Sequence, residues 1–203
     1  MANTSRKCGL RPINQPFGAI RCNYYKAVTG AAYYLYTPVA LNANGYVTWL
    51  GGLGNSSDNA MLGSVVAFLD GDWGPVDNSY NYVPANPSSV DADGLINVLV
   101  ADDPQQQFVI EEDTGGTALT SAAKGAQVGI GLQATSGSTI SGICNCLIDR
   151  STIGTNLSNG CLQLIKLWDK PDNDYGNYAK WVVKPAIHAY GVILGGVVVG
   201  PGI

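Results

Sequence analysis

The stretch Val100-Ala-Asp-Asp-Pro-Gln-Gln-Gln-Phe-Val-Ile-Glu-Glu-Asp113 combines short apolar, β-branched runs with acidic, turn-forming clusters. The stretch Leu162-Gln-Leu-Ile-Lys-Leu-Trp-Asp-Lys-Pro-Asp-Asn-Asp-Tyr-Gly176 does the same near the other end of the chain. Apolar runs of this length, bounded by Pro, Asp, Asn and Gly, are typical of strands that end in loops. Both stretches therefore predict β structure, and neither has the pattern of a catalytic helix or a phosphate-binding loop.

The rest of the chain has the same short-strand pattern. Pro38 lies in the aromatic and β-branched run Ala31–Leu41, which predicts an edge strand or a bulge there. Asn42-Ala-Asn-Gly45 predicts a hairpin turn, and Tyr46–Leu50 is the returning strand. Many short strands separated by turn residues predict an all-β fold, an antiparallel β-barrel or sandwich with long loops. Further strands are predicted at residues 61–69, 94–101, 107–112, 127–132, 140–148, 160–168 and 178–190, with 94–101 and 107–112 forming a pair and helical turns confined to 117–127.

Charge divides the chain unevenly. No acidic residue precedes Asp58, whereas the remaining 146 residues carry fifteen acidic and only six basic residues. A basic, Pro-punctuated leader of this kind predicts an extended N-terminal arm, which we place at residues 1–27. We predict a β-rich body at residues 28–190 and an apolar, Gly-rich C-terminal tail at residues 191–203. The five bases before Asp58 are Arg6, Lys7, Arg11, Arg21 and Lys26.

Three interpretations of the arm are open, two of them binding roles. Its positive charge could bind the acidic body of a neighbouring copy or another acidic protein surface, and Arg6, Lys7 and Arg11 are the candidate contact residues. Nucleic-acid binding is disfavoured because the whole chain has a net charge of −4 and lacks alternating basic and aromatic residues. The third alternative is a disordered segment without a binding role.

Aromatic composition also favours contact with other proteins. The chain has 11 Tyr and 3 Phe, and only 13% of its residues are charged. Tyrosine keeps a polar tip on an apolar ring, which suits a surface that is partly covered by a neighbour. Trp73, Tyr80 and Tyr82 fall in a predicted long surface loop at residues 70–89 and are candidate partner contacts. A secreted monomeric β-domain is the alternative that shares several of these traits.

The acidic clusters predict turns and not a catalytic or metal site. Pro104 follows Asp102-Asp103, so we expect these carboxylates to face solvent or to cap backbone N–H groups. Glu111-Glu112-Asp113 is interpreted as a solvated turn entry whose adjacent side chains face opposite ways. Asp172-Asn-Asp174 begins like a calcium loop, but Asn177 and Val183 replace the required Gly and Glu.

The cysteines and the single histidine have structural interpretations. Cys144-Asn-Cys146 has the wrong spacing for a zinc knuckle, and the two thiols are expected to be buried on one face. His188 is expected to be a hydrogen-bonded structural residue, since no nucleophile motif accompanies it. The sequence therefore predicts no enzyme, no metal and no cofactor. The five cysteines are odd in number and no signal peptide or membrane span is recognised, which favours reduced thiols made in a cytoplasm.

Three segments carry a family resemblance: Gly9-Leu-Arg-Pro12, Ala101-Asp-Asp-Pro104, and Pro171-Asp-Asn173 followed by Ala179-Lys-Trp-Val-Val183 and His188. Together they resemble a family of small tailed-bacteriophage structural proteins, the head decoration or capsid cement proteins. The resemblance implies a β-rich protein, often a homotrimer, that binds the major capsid protein on the exterior of the virion after assembly in the bacterial cytoplasm. No nucleic-acid or membrane partner is expected.

The chain departs from the family pattern at Cys8, at Cys144-Asn-Cys146 and in the tail after Tyr190. These departures put the mode of attachment in doubt more than the class. The alternative function is a carbohydrate-binding β-domain that adheres to host glycans, because aromatic residues in loops beside acidic and Asn side chains also suit sugar binding.

Overall fold

The structure is a computed structural model and describes residues 3–13, 18–50, 60–69, 82–87, 90–131, 136–154 and 160–191. This part of the chain forms thirteen strands and a one-turn 3-10 helix at Ser121–Ala123, so the prediction of an all-β fold is confirmed. The strands are β1 Arg11–Pro12, β2 Cys22–Ala27, β3 Tyr33–Tyr34, β4 Pro38–Leu41, β5 Val47–Trp49, β6 Met61–Leu69, β7 Tyr82–Val83, β8 Ile96–Ala101, β9 Phe108–Glu111, β10 Gln127–Ile130, β11 Ile148–Gly154, β12 Leu162–Leu167 and β13 Lys180–Pro185.

The first half of the chain forms a closed barrel. Its strand order is β2-β5-β4-β6-β8, and β8 pairs with β2 to complete the ring. The neighbouring strands run antiparallel except for β2 and β5, which pair in parallel at Ala27 and Val47. Fully buried Val39, Leu62 and Val65 lie in one apolar cluster with side chains from β8. Tyr33 of β3 and Val83 of β7 belong to the same cluster, so this two-stranded sheet covers the barrel interior.

The second half of the chain, joined by β1 from the N-terminal end, forms a six-stranded antiparallel sheet in the order β1-β9-β13-β12-β10-β11. Phe108, Leu164 and Trp181 are fully or almost fully buried on this sheet. Their apolar cluster also contains Met61 and Ala101 from the barrel, so the sheet and the barrel pack against each other in a sandwich-like arrangement. Burial of apolar area of this kind is the main favourable contribution to the fold.

Several local predictions are confirmed. Strand β6 has the predicted bounds, Met61–Leu69, and β4 and β5 form the predicted hairpin. In its turn the Asn42 side chain accepts the N–H groups of Asn44 and Tyr46 at 3.0 Å each, and Gly45 has a φ of 76°. Pro38 is the first residue of β4, directly before a bulge in the pairing with β6. This is a position where the missing N–H costs little.

The predicted pairing of residues 94–101 with 107–112 is wrong. Strand β8 pairs with β2 and β6 in the barrel, whereas β9 pairs with β1 and β13 in the sheet. The intervening residues form a turn in which the Gln106 N–H donates to the Asp103 carbonyl at 2.9 Å. The Asp103 carboxylate caps the Gln105 N–H at 2.7 Å. This turn takes the chain out of the barrel and into the sheet, so it does not close a hairpin.

The predicted strand at residues 140–148 is also wrong, because β11 begins only at Ile148. Before it the chain makes a tight turn, in which the Gly142 N–H donates to the Ser138 carbonyl at 2.6 Å. Gly142 has a φ of 70°, which a residue with a Cβ rarely adopts. Beyond the turn, the Cys144 N–H donates to the Leu35 carbonyl at 2.9 Å.

The predicted arm has a different boundary and lies on its own body. Residues Cys22–Ala27 form barrel strand β2, which pairs with β8 along its whole length. Closer to the N-terminus, β1 pairs with β9, and Leu10 is fully buried with its N–H 2.9 Å from the Tyr36 carbonyl. Residues 3–13 are called the arm below. Of the predicted tail, residues 192–203 lie outside the described residues.

Leu10→Ala should lower the free energy of unfolding by about 2–5 kcal/mol, because it removes a fully buried side chain and leaves a cavity. Urea denaturation of both proteins measures the difference. Ile140→Ala is the control: Ile140 is 95% exposed, so its truncation should change stability by less than about 0.5 kcal/mol. Equal stability of the Leu10 variant and the wild type would contradict the docked position of the arm.

Candidate functional site

A groove of about 950 Å³ separates the arm from the loop that connects β12 to β13. Among the described residues that line it, five side chains are basic and one, that of Asp172, is acidic. Apolar side chains from the arm, β9 and the barrel side complete the lining. We call this feature the arm groove. Its charged lining residues are Arg6, Lys7, Arg11, Lys170, Lys180 and Asp172, and its apolar lining includes Ile13, Ile20, Val109, Ile143 and Trp168.

Hydrogen bonds at two points fasten the arm to the body. The side chain of Asn3 donates to the carbonyls of Asp174 and Asn177, at 2.6 and 3.1 Å, and accepts the Asp174 N–H at 3.0 Å. The Glu111 carboxylate accepts the Ser5 hydroxyl and the Arg6 N–H, both at 2.8 Å. These bonds fix the backbone of residues 3–6 and leave the Arg6 side chain exposed.

The prediction that Glu111 and Glu112 are solvated is wrong, because both are fully buried. They do point to opposite faces, as expected for adjacent strand residues. Glu111 bonds to the arm, whereas Glu112 accepts Arg150 Nη1 at 3.2 Å and Trp181 Nε1 at 3.0 Å. Each carboxylate tolerates burial because the fold supplies hydrogen-bond donors. Burial raises the pKa of Glu112 to about 7, against the opposing effects of Trp181 and Arg150.

The other wall of the arm groove is a turn organised by the buried side chain of Asn173. Its Nδ2 donates to the carbonyls of Trp168 and Lys180, at 2.7 and 2.9 Å, and its Oδ1 accepts the Lys180 N–H at 2.8 Å. The loop is therefore held by a side-chain amide that satisfies backbone groups. The Lys170 ammonium lies 5.1 Å from the centre of the Trp168 ring, within the range of a cation–π contact.

The three arm bases that the sequence singled out meet at this groove. Arg6, Lys7 and Arg11 are exposed, and within the described residues none of their side chains has an ion-pair partner. Lys180 has one, since its ammonium lies 3.9 Å from Glu111. Within the part of the chain that the structure describes, the positive charge of the groove is thus largely unpaired.

The aromatic candidates have different outcomes. Trp73 and Tyr80 lie outside the described residues. Tyr82 was expected in a loop, and that placement is wrong: it is part of β7 and half-buried. Its ring stacks on that of Tyr34, with 5.4 Å between the centres and 14° between the planes. Cross-strand pairing of β3 and β7 produces this contact. A role of Tyr82 in partner contact stays a prediction.

A second polar cluster surrounds Asp102, which is 4% exposed. Its carboxylate accepts the side-chain amide of Asn23, at 3.0 and 2.8 Å, and the hydroxyl of Tyr25. Asp102 thus faces the body, contrary to the expectation of a solvent-facing or capping carboxylate, which Asp103 alone fulfils. The cluster ties β2 to the turn between barrel and sheet.

His188 has the structural position predicted for it. Its Nδ1 accepts the Tyr190 N–H at 3.0 Å, which places the ring proton on Nε2, and Nε2 donates to the Leu62 carbonyl at 2.7 Å. Burial lowers the pKa of His188 below its usual value. Both ring nitrogens are thus engaged with backbone groups, as expected for a hydrogen-bonded structural histidine.

The five cysteines are free thiols, and two of them are buried. All five are in the described part of the chain, no disulfide joins them, and Cys144 and Cys146 are fully buried as expected. Burial raises the pKa of the Cys8 thiol to about 11 and that of Cys161 to about 12.

Among the described residues, no group of three or more His, Cys, Asp or Glu is placed to hold a metal ion. The same residues include no helix of the length and hydropathy needed to cross a bilayer.

The chain matches no protein-family model, no curated protein and no solved structure in the comparisons made. Function is therefore inferred from the arm groove. Sequence reasoning found three of its bases but missed Lys170, Lys180 and Trp168. Trp168 and Lys170 could have been identified as candidate contact residues from the sequence, because they lie at the end of a predicted strand beside the Pro171-Asp-Asn173 turn.

Glu111→Ala should release the first residues of the arm, because the Ser5 hydroxyl and the Arg6 N–H lose their acceptor. Amide exchange at Arg6 should accelerate, and the free energy of unfolding should fall by about 1–3 kcal/mol. Hydrogen exchange followed by NMR measures the first effect. Glu111→Gln is the matched control, since its amide oxygen can still accept the Arg6 N–H. Unchanged Arg6 protection in the alanine variant would contradict this anchoring.

His188 should make stability depend on pH. Its native pKa lies below the value of about 6.5 in the unfolded chain, so the unfolded state binds the proton more readily. Its contribution to stability is therefore present at neutral pH and decreases as the pH falls below about 6.5. Thermal unfolding of the wild type and of His188→Gln between about pH 7 and pH 5 isolates this term. An identical pH slope in the two proteins would contradict it.

Proposed function

We propose that this chain is a decoration protein that binds the exterior of a tailed-phage capsid and stabilises the shell of major capsid protein. One observation carries the proposal. Two of the three segments that resemble the decoration family, Gly9–Pro12 and Pro171–Asn173, contribute residues to opposite walls of the arm groove. Two segments far apart in the sequence are thus combined into one surface feature, which is lined by five basic side chains and one acidic side chain.

The third segment lies directly before residues that bond to the C-terminal end of the arm. Ala101–Pro104 leads into a turn whose Gln106 amide donates to the Ile13 carbonyl at 2.8 Å. The Ile13 N–H in turn donates to the Gln107 carbonyl at 3.0 Å. Gln106 and Gln107, which follow this segment, therefore hold the C-terminal end of the arm, just as Asn3 and Glu111 hold its N-terminal end. Two of the segments line the groove, and the third lies directly before residues that hold the arm in place.

The protein can stabilise the shell if it binds joined capsid subunits more tightly than separated ones. A protein that binds the joined arrangement of capsid subunits, and not separated subunits, shifts the equilibrium towards the intact shell by mass action. A prepositioned arm favours this, because little conformational entropy is lost when the partner binds. Assembly as a homotrimer would add multivalency, which strengthens attachment without new contacts.

Carbohydrate binding is the second candidate, and exposed tyrosines favour it. Tyr24 is 60% and Tyr190 59% exposed. Tyr190 lies beside Tyr25, which bonds to Asp102, whereas Tyr24 is on the opposite face of β2. Tyrosine rings beside Asn and Asp side chains could pack on a sugar ring and bond to its hydroxyls. A glycan array with the purified protein discriminates the two functions, since a decoration protein needs no sugar ligand.

Mass spectrometry of purified virions tests the main proposal. The chain should be present in many copies, in a constant ratio to the major capsid protein. Adding the purified protein to capsids that lack it should raise the temperature at which they rupture. Virions that do not contain the chain, or capsids whose rupture temperature is unaffected by saturating protein, would contradict the proposal.

A further inference from the structure

We propose that the arm groove binds an extended, acidic segment of the partner protein that also carries apolar side chains. This inference rests on the proposed function and specifies the surface by which the protein attaches. It assigns recognition to one feature of the fold and predicts the chemistry of its ligand.

Charge is the first argument. Five basic side chains and one acidic side chain line the groove, although the chain as a whole has a net charge of −4. Positive charge is therefore concentrated here against the average of the molecule. Carboxylates complement it, and such complementarity contributes to association rate and to partner selection. The rest of the acidic body would repel a ligand that is acidic along its entire length, so the acidic part should be short.

The apolar lining is the second argument. Val109 is buried beneath the groove, while Ile13, Ile143 and Trp168 are partly exposed. A purely ionic site does not need this surface, whereas aromatic and apolar groups supply most of the energy of protein interfaces. The ligand should therefore alternate acidic and apolar side chains.

Strand addition is not the mode of binding. Strand β1 forms the edge of the six-stranded sheet and borders the groove, but it has only two residues and the second is Pro12. Proline has no N–H to donate to an added strand, and natural edge strands are protected in this way. The ligand must therefore be recognised through its side chains.

Charge reversal tests the inference on capsids. Lys7→Glu/Arg11→Glu changes two exposed groove bases and keeps the backbone contacts of Ser5 and Arg6 with Glu111. It should weaken capsid binding by about tenfold, because two attractive contacts become repulsive. Lys124→Glu/Lys166→Glu is the matched control: both side chains are exposed, outside the groove lining, and the net charge changes equally. The control should bind as the wild type does.

Peptide titrations test the ligand chemistry without capsids. NMR follows the Trp168 indole signal, assigned with Trp168→Phe, while octapeptides of alternating Glu and Leu, Glu and Ser, or Lys and Leu are added. The glutamate–leucine peptide should shift the signal most, the glutamate–serine peptide less, and the lysine–leucine peptide not at all. A single-stranded oligonucleotide that binds as well as the glutamate–leucine peptide would overturn the inference in favour of a general polyanion site.

The outcomes separate the two proposals. If the groove variant and the control variant both bind capsids like the wild type, the groove inference is wrong and the decoration function stands. If the wild type itself does not bind capsids, the decoration function is wrong, and the peptide titration alone decides the groove inference. Absence of any shift with the glutamate–leucine peptide would overturn that inference.

Discussion

The arm groove depends on the hydrogen bonds between the Glu111 carboxylate and the arm. This side chain is fully buried, and the arm provides its closest donors, the Ser5 hydroxyl and the Arg6 N–H, with Lys180 at 3.9 Å. A buried carboxylate without hydrogen-bond donors is strongly unfavourable. The body therefore depends on the arm for these donors, and the arm is held in place by the carboxylate. The same interaction places the Arg6 side chain at the groove and Lys180 on its floor. One buried charge therefore organises the positive surface around it.

Local features of the fold were predictable and the pairing of distant strands was not. The Asn44-Gly45 turn and strand β6 follow from short-range rules, since turn chemistry and β-branched runs act within a few residues. The assignment of β8 to the barrel and β9 to the sheet depends on partners far along the chain. A turn such as Asp102–Gln107 can close a hairpin or change the direction of the chain, and its residues are suitable for both.

The candidate site was predictable in composition and not in position. Uneven charge pointed to Arg6, Lys7 and Arg11 as contacts, but the same pattern suits a free arm as well as a docked one. Burial of Leu10 and Glu111 decides between them, and burial is a property of the assembled tertiary structure. Glu112 is an example of the opposite error. Its place in an acidic run predicted a solvated turn, but its side chain is buried because Arg150 and Trp181 donate hydrogen bonds to it.

Strand connectivity has a consequence for how the molecule folds. The barrel uses only residues 22–101, so its strands can associate as soon as that contiguous stretch has been synthesised. The six-stranded sheet requires β13 between β9 and β12, and its edge strand β1 comes from the opposite end of the chain. Contacts of such long sequence separation form slowly. We therefore expect the barrel to form first during synthesis. A half-made polypeptide lacks β12, β13 and the loop between them, so it has no complete groove that could bind a ligand.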